Sequence, residues 1–349
     1  MSDFDPHRCL VVGPSWVGDM VMAQSLFIDL KQQHPQLLID VLAPAWSLDL
    51  LQAMPQVNRC HVLDTGHGEF GLKKRYQLAQ RLKGEDYDWS IVLPNSFKSS
   101  LVPWWAKIAT RTGFRGEMRY GLINDMRILN KQALGKTVER FVALGRSPHP
   151  HQVTDYPLPK LELDHLQLSE TSSKFALDGS EKLLALCPGA EYGPAKRWPE
   201  AHYAAVAQAA IAHGWRVVIL GSEKDASVSQ RIDTLVKSNN CVDLTGKTSL
   251  MEVVALLKLS SAAVSNDSGL MHIAAAVDTH LIAIYGSSDP GFTPPLNPSA
   301  DIIYRDLECS PCFQRVCPKG HLDCLVGIEP QQVIDHLGFD HQILRPNKV

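Results

Sequence analysis

Several absences narrow the reading of this 349-residue chain. No apolar run approaches the roughly 18 residues that a bilayer-spanning helix needs. The opening residues, MSDFDPHR, are acidic and lack the basic and apolar stretches of a secretory signal. Both absences lead to the expectation of a cytoplasmic protein. No low-complexity tract and no solenoid repeat interrupts the chain. The first glycine loop does not follow its second glycine with Lys and Ser/Thr, which excludes a nucleotide P-loop there. Its two glycines, Gly13 and Gly18, also fail the three-glycine GxGxxG spacing of a dinucleotide site.

What is present reads as a soluble globular protein. The length exceeds what one core usually supports, so two domains are expected, 1–168 and 169–349. A hydrophobic content of 45% and a charged content of 20% are ordinary. The formal charge of −3 hides an asymmetry, because residues 73–146 hold fifteen Lys/Arg against six Asp/Glu. Such a basic region suits an anionic partner, although some of these cations read equally as solvated helix faces. Nothing in it matches a nucleic-acid module, so nucleic acid is not expected.

Residues 9–23, CLVVGPSWVGDMVMA, are the most informative stretch. Cys9–Gly13 predicts a buried strand, 13–18 a tight loop, and Met20, Ala23, Leu26, Phe27 and Leu30 a helix. A strand, loop and helix in that order put the loop at the carboxyl edge of a parallel sheet, where open α/β folds build their sites. Asp19 stands there in place of a phosphate-binding cation. It is either a helix-start acid favoured by the macrodipole or a general base.

The first half continues with strand candidates at 38–42, 60–63 and 89–93, separated by helical stretches near 45–54, 73–84 and 98–110. Residues 148–170, rich in Pro and His, read as an extended closing strand and linker. The rhythm restarts with strands at 182–187, 216–220, 241–243, 262–265 and 281–284 and intervening helices. The pattern predicts two doubly wound, Rossmann-like parallel sheets facing across a cleft. A last helix near 329–337 could return to the first half.

Four loops of the second half carry chemistry. In AAVSNDSGLMHIAAA, Ser265–Gly269 offers backbone N–H groups at a helix start, a ready anion site. Small Ser268 and Gly269 permit close approach of a diphosphate, and His272 lies one turn on. In CPGAEYGPAKRWPE, Gly189 helps shape a loop carrying Lys196 and Arg197, two cations suited to a diphosphate leaving group. Glu223 follows a strand as ribose-binding acids do in nucleotide folds. LTGKT, with Thr245 and Lys247, forms a further loop at the same edge. Each also has a structural reading: a solvated Lys–Arg pair, a packed histidine.

Of eight cysteines, Cys9, Cys60, Cys187 and Cys241 fall in apolar runs and read as inert core residues. Cys309, Cys312, Cys317 and Cys324 cluster with His321. The CxxC pair fits zinc, but the second pair lacks its short spacing, so free or redox-labile thiols are preferred to a structural metal. No cofactor is expected.

Taken together, VVGPSWVGDMVMAQSL, PGAEYGPAKRWPE, LTGKTSL, SNDSGLMHIAAA and YGSSDP resemble the ADP-heptose–lipopolysaccharide heptosyltransferases, glycosyltransferase family 9 with the GT-B fold. The likeness extends over nearly the whole chain. Residues 9–23, 113–127 and 309–321 look like the enzymes that add the second heptose rather than the first. In the latter, Thr tends to replace Ser268 and His to replace Arg197. The resemblance implies inverting transfer of L-glycero-D-manno-heptose from ADP-heptose to the first heptose of the inner core on Kdo2-lipid A. It matches Asp19 to the general base, Lys196 to the diphosphate-binding lysine, and Asp267, Ser268, Gly269 and His272 to the donor motif. An acceptor bearing carboxylates and phosphates would account for the basic region. Gly18, Lys73, Lys74, Arg75, Lys98, Arg115 and Arg119 are then candidate acceptor contacts, and a basic patch would hold the protein peripherally at the inner membrane. Competing expectations are transfer of the first heptose, a sugar-nucleotide epimerase or hydrolase, and a non-catalytic lipid-binding protein.

Overall fold

A computed structural model describes residues 5–65, 69–146, 150–177 and 179–339. The chain divides into two compact units after Glu162. The first contains, in order, β1 (Arg8–Val12), α1 (Val17–Gln33), β2 (Leu38–Ala43), α2 (Leu48–Gln52), β3 (Val57–Val62) and α3 (Leu72–Leu82). It continues with β4 (Trp89–Val92), α4 (Leu101–Trp105), β5 (Thr110–Phe114), β6 (Asp125–Arg127) and α5 (Thr137–Gly145). The second begins with α6 (His165–Lys174), β7 (Leu183–Cys187), α7 (Glu200–Ala212), β8 (Arg216–Ile219), α8 (Ala226–Val236) and β9 (Cys241–Asp243). It ends with α9 (Leu250–Leu259), β10 (Ala262–Asn266), α10 (Gly269–Ala276), β11 (His280–Tyr285), β12 (Asp301–Tyr304), α11 (Asp323–Val326) and α12 (Pro330–Leu337).

Each unit is built on one six-stranded parallel sheet. The orders are β3-β2-β1-β4-β5-β6 and β12-β11-β10-β7-β8-β9, so the two sheets share one topology. Strand β1 lies between β2 and β4, with Cys9 opposite both Ile39 and Trp89. Its counterpart β7 lies between β8 and β10, with Leu184 opposite Val217 and Ala262. The order reverses at β1/β4 in one sheet and β7/β10 in the other, and crevices for ligands open at the carboxyl ends of such pairs.

Helices cover both faces of a parallel sheet, so its central strands must be apolar throughout. Every residue of β4, β7 and β10 is buried. A fully buried charge on β2 is compensated: Asp40 accepts from Arg8 at 2.8 Å, Asn58 at 2.7 Å and the Tyr87 hydroxyl. Burial alone would raise this carboxyl, but hydrogen bonds involving His61, Tyr87, Asn58 and Arg8 outweigh it and hold the pKa far below the usual range. Cys9, Cys187 and Cys241 are buried as expected, whereas Cys60 on β3 is only partly buried. Burial pushes Cys60 up to about 11 and Cys187 and Cys241 to about 12, so all three stay protonated thiols.

The structure differs from the sequence reading in three places. Strands β5, β6 and β12 complete the sheets and were not anticipated, and β5 begins inside the stretch read as a helix over 98–110. Residues 150–164 form no strand. Instead Asp164 caps α6 by accepting from the Gln167 N–H at 2.7 Å, so a boundary at 168/169 would cut that helix. The last helix, whose placement the sequence left open, packs on α7 and buries Val333 and Leu337 in the second unit's core.

Candidate active site

In the second unit the loops after β7 and β10 are locked together before they display any chemistry. Asn266, fully buried at the end of β10, donates to Pro188 O at 2.7 Å. Its side-chain oxygen accepts from the Trp198 N–H and the Tyr203 hydroxyl, both at 3.0 Å. This bracket fixes the segment that carries Lys196. The Lys196 ammonium donates to the Asp267 carboxylate at 2.5 Å, and Ser288 donates to the same carboxylate oxygen. Asp267 is 5% exposed, so the pair sits in low dielectric and holds one lysine rotamer at the edge of the sheet.

Helix α10 starts at the same point. Ser268 is its extended N-cap residue and makes no side-chain cap bond, and Gly269 is the first helical residue. The first N–H groups of an α-helix lack intrahelical acceptors and carry the positive end of the dipole. One turn on, His272 is buried, and desolvation drops it to about 4 against the pull of Asp267 and with the push of Lys196. The imidazole is therefore neutral at ordinary pH. It packs as the structural reading foresaw while lying within electrostatic reach of the Lys196–Asp267 pair.

Two further loops meet beside it. A Cβ on Gly189 would lie 2.5 Å from the Asp225 carboxyl carbon, so only glycine lets the two approach. Arg197 stands 3.8 Å from Asp225, while its buried Nε has no hydrogen-bond partner. The buried Thr245 hydroxyl likewise lacks one. Glu223 is exposed at the start of a 3-10 turn, and Lys247 donates to Asp243 O at 2.7 Å. Buried polar atoms without partners cost free energy unless a ligand supplies one, and both orphans belong to residues singled out by sequence.

In the first unit Asp19 is the third residue of α1 and partly exposed, at the carboxyl end of β1 beside the β1/β4 reversal. Gly18 precedes it in the same turn. Of the expected acceptor contacts, Lys73, Lys74 and Arg115 are exposed and Lys98 is half-exposed. Two others point inward, which corrects the expectation for them. Arg75 is 6% exposed and donates to Phe70 O at 2.8 Å. Arg119 is 1% exposed and donates to Pro94 O at 2.7 Å and the Asn95 side chain at 3.1 Å, with a further bond to Phe114 O. These guanidiniums hold loops in place and have no room for a ligand.

The four clustered cysteines and His321 line one small cavity in the second unit. All four are free thiols. Backbone hydrogen bonds, that with Leu322 foremost, lower Cys317, whereas burial raises Cys324. Among the described residues no three His, Cys, Asp or Glu side chains are placed to hold a metal ion.

A family model for glycosyltransferase family 9 (heptosyltransferase) matches residues 75–323. This chain belongs to glycosyltransferase family 9. Lipopolysaccharide heptosyltransferase 2 of Salmonella typhimurium is 45% identical to it, across 95% of this chain and 97% of that protein. The Escherichia coli protein of the same name is 43% identical with the same coverage. The solved structure of E. coli ADP-heptose lps heptosyltransferase II superposes with a TM-score of 0.85 at 41% identity, covering 95% of this chain and 97% of that one. The two Rossmann-like parallel sheets are those of the family's GT-B fold. Sequence reasoning missed the side chains that position Lys196 and Asp267, namely Asn266 and Ser288. Both stood in quoted segments, SNDSGLMHIAAA and YGSSDP, as polar residues closely following apolar strands.

Proposed function

We propose that this family 9 enzyme transfers a heptosyl residue from ADP-heptose to an inner-core lipopolysaccharide acceptor that already bears one heptose. The observation that carries the reading is the Lys196–Asp267 pair fixed at the start of α10, in a chain 45% identical to a lipopolysaccharide heptosyltransferase 2. On this reading the donor diphosphate lies on the first N–H groups of α10 with Lys196 as counter-cation. Arg197 Nε and the Thr245 hydroxyl gain their missing partners from the donor, and Glu223 takes the ribose.

Asp19 acts as the base. It accepts the proton of the attacking acceptor hydroxyl as that oxygen bonds to the anomeric carbon and the bond to the diphosphate breaks. A single displacement of this kind inverts the anomeric centre and needs no covalent nucleophile. It requires a base at the acceptor hydroxyl, a cation at the leaving group, and water kept from the anomeric carbon. Lysine and helix-terminal N–H groups compensate the leaving group's charge, so transfer proceeds without a metal cofactor, and chelator treatment leaves the rate unchanged.

Lys73, Lys74, Lys98 and Arg115 face the acceptor's carboxylates and phosphates. Exposed Phe70, Leu72, Tyr76 and Trp104 stand among these lysines on and beside α3 and α4, a composition that suits the headgroup zone of an anionic leaflet. No helix among the described residues is long and apolar enough to cross a membrane, and the proposed contact at the cytoplasmic face is peripheral.

The test is Asp19→Asn, with transfer and ADP affinity measured on the same preparation. Transfer is expected to fall by about 10²–10⁴-fold, the span of general-base contributions, while ADP binds normally. Near-normal turnover in this variant refutes the base assignment.

A further inference from the structure

The cysteine-rich segment 309–324 has no role in the reading above, yet it is strapped directly onto the loop that carries Lys196. Arg315 O accepts the Ala195 N–H at 3.1 Å, and a Cβ on Gly193 would lie 2.5 Å from that same carbonyl. Phe313 O accepts the Tyr192 hydroxyl at 2.6 Å. The Phe313 N–H donates to Ser287 O at 2.7 Å, one residue before the Ser288 that holds Asp267. The segment therefore touches both loops that fix the Lys196–Asp267 pair.

The side chain of Arg315 makes the arrangement more than a strap. Its guanidinium carbon lies 5.2 Å from the centroid of the Tyr192 ring, and the Lys196 ammonium lies 5.1 Å from that same centroid. One aromatic ring thus serves two cations. Lys196 has Asp267 as its counter-charge. Arg315 is exposed, and among the described residues no carboxylate stands within ion-pair distance of it. Of the two like charges gathered at one ring, Lys196 has a carboxylate at ion-pair distance and Arg315 leaves its positive charge for a ligand. A planar guanidinium is suited to a phosphate, which it can grip with two parallel N–H bonds.

We propose that Arg315 is a second cation of the donor site and binds the diphosphate of the nucleotide sugar, with Tyr192 aligning it and Lys196. The inference rests on the reading of Lys196 as the diphosphate-binding lysine. Because the strap is held through the main-chain carbonyl of Arg315, truncating the side chain removes the cation and leaves the strap intact.

Calorimetric titration of the full-length protein with ADP and, separately, with adenosine tests this on the wild type, Lys196→Ala, Arg315→Ala and Arg315→Lys. Arg315→Ala is expected to weaken ADP about tenfold, to leave adenosine unchanged, and to raise KM for the donor more than it lowers kcat. Arg315→Lys recovers part of the loss. If Lys196→Ala weakens ADP while Arg315→Ala binds it like the wild type, this inference is overturned and the donor-site reading stands. If neither variant weakens ADP, both fall. Equal losses for ADP and adenosine would show a merely structural role and also overturn it. Should Arg315→Ala fail to fold, Arg315→Gln, which keeps the stem over the ring, takes its place with the same expected outcomes.

Discussion

Two sheets with one strand order furnish their reversal points in opposite ways. At β7/β10 the loops are cross-braced by buried side chains: Asn266 reaches Pro188, Trp198 and Tyr203, and Asp267 holds Lys196 and Ser288. At β1/β4 the corresponding turn presents one partly exposed carboxylate, Asp19, in the first turn of α1, with the unit's cations spread over α3, the 97–100 turn and the end of β5. A shared topology therefore fixes where a site stands without deciding what it does. On the proposed function, the braced loops of the second unit serve one compact, highly charged group and the dispersed cations of the first serve a larger acceptor.

The comparison can be broken most sharply at Lys196. Lys196→Ala is expected to weaken ADP binding and slow transfer by about 10²-fold, because the charge that compensates the leaving group is lost. Unchanged kinetics would remove the bracketed lysine from the site. Next in size is the inward arginine of the first unit. Arg119→Met removes the guanidinium's bonds to the carbonyls of Pro94 and Phe114 and to the Asn95 side chain, so urea denaturation should show a loss of about 2 kcal/mol with ADP affinity intact. A stable Arg119→Met that loses acceptor binding instead would return this residue to the acceptor contacts.

A third prediction concerns pH. His272 is held at about 4 in the folded protein, below its ordinary value near 6.5, so the unfolded chain takes up the proton first. The stability it lends is present above pH 6.5 and declines as pH falls toward 4. Denaturation midpoints of the wild type and His272→Asn should converge across that window by an amount on the order of 1–3 kcal/mol. A parallel pH dependence of the two proteins would count against the buried neutral imidazole. The smallest effects belong to the outer surface of the first unit. Lys73→Glu and Lys74→Glu should each weaken sedimentation with anionic vesicles by about 1 kcal/mol and leave stability unaltered. Vesicle binding equal to the wild type's would move the membrane contact elsewhere.

Much of this was legible in the sequence, for a physical reason. Central parallel strands are buried on both faces and so read as short apolar runs, as in CLVV, LLALC and LIAIY, each followed by a small-residue loop. The strands that escaped notice, TRTGF, DMR and DIIY, lie toward the edges and carry polar or charged residues that only their neighbours in space explain. The charge excess at 73–146 was real, but composition cannot separate Lys73, which faces outward, from Arg75 and Arg119, whose partners are backbone carbonyls. The bracket around Lys196 was hidden for the same reason. Asn266 meets Pro188 across 78 positions, and Tyr192 meets Phe313 across 121. No local pattern records such pairings.

The division of labour between the two units is tested most directly by product mass. The protein is incubated with ADP-heptose alone and, in parallel, with ADP-heptose and a truncated lipopolysaccharide bearing one heptose. The account predicts a product heavier by one heptose residue and release of ADP only when the acceptor is present. Consumption of ADP-heptose at the same rate without acceptor, or an acceptor of unchanged mass after full incubation, would contradict it.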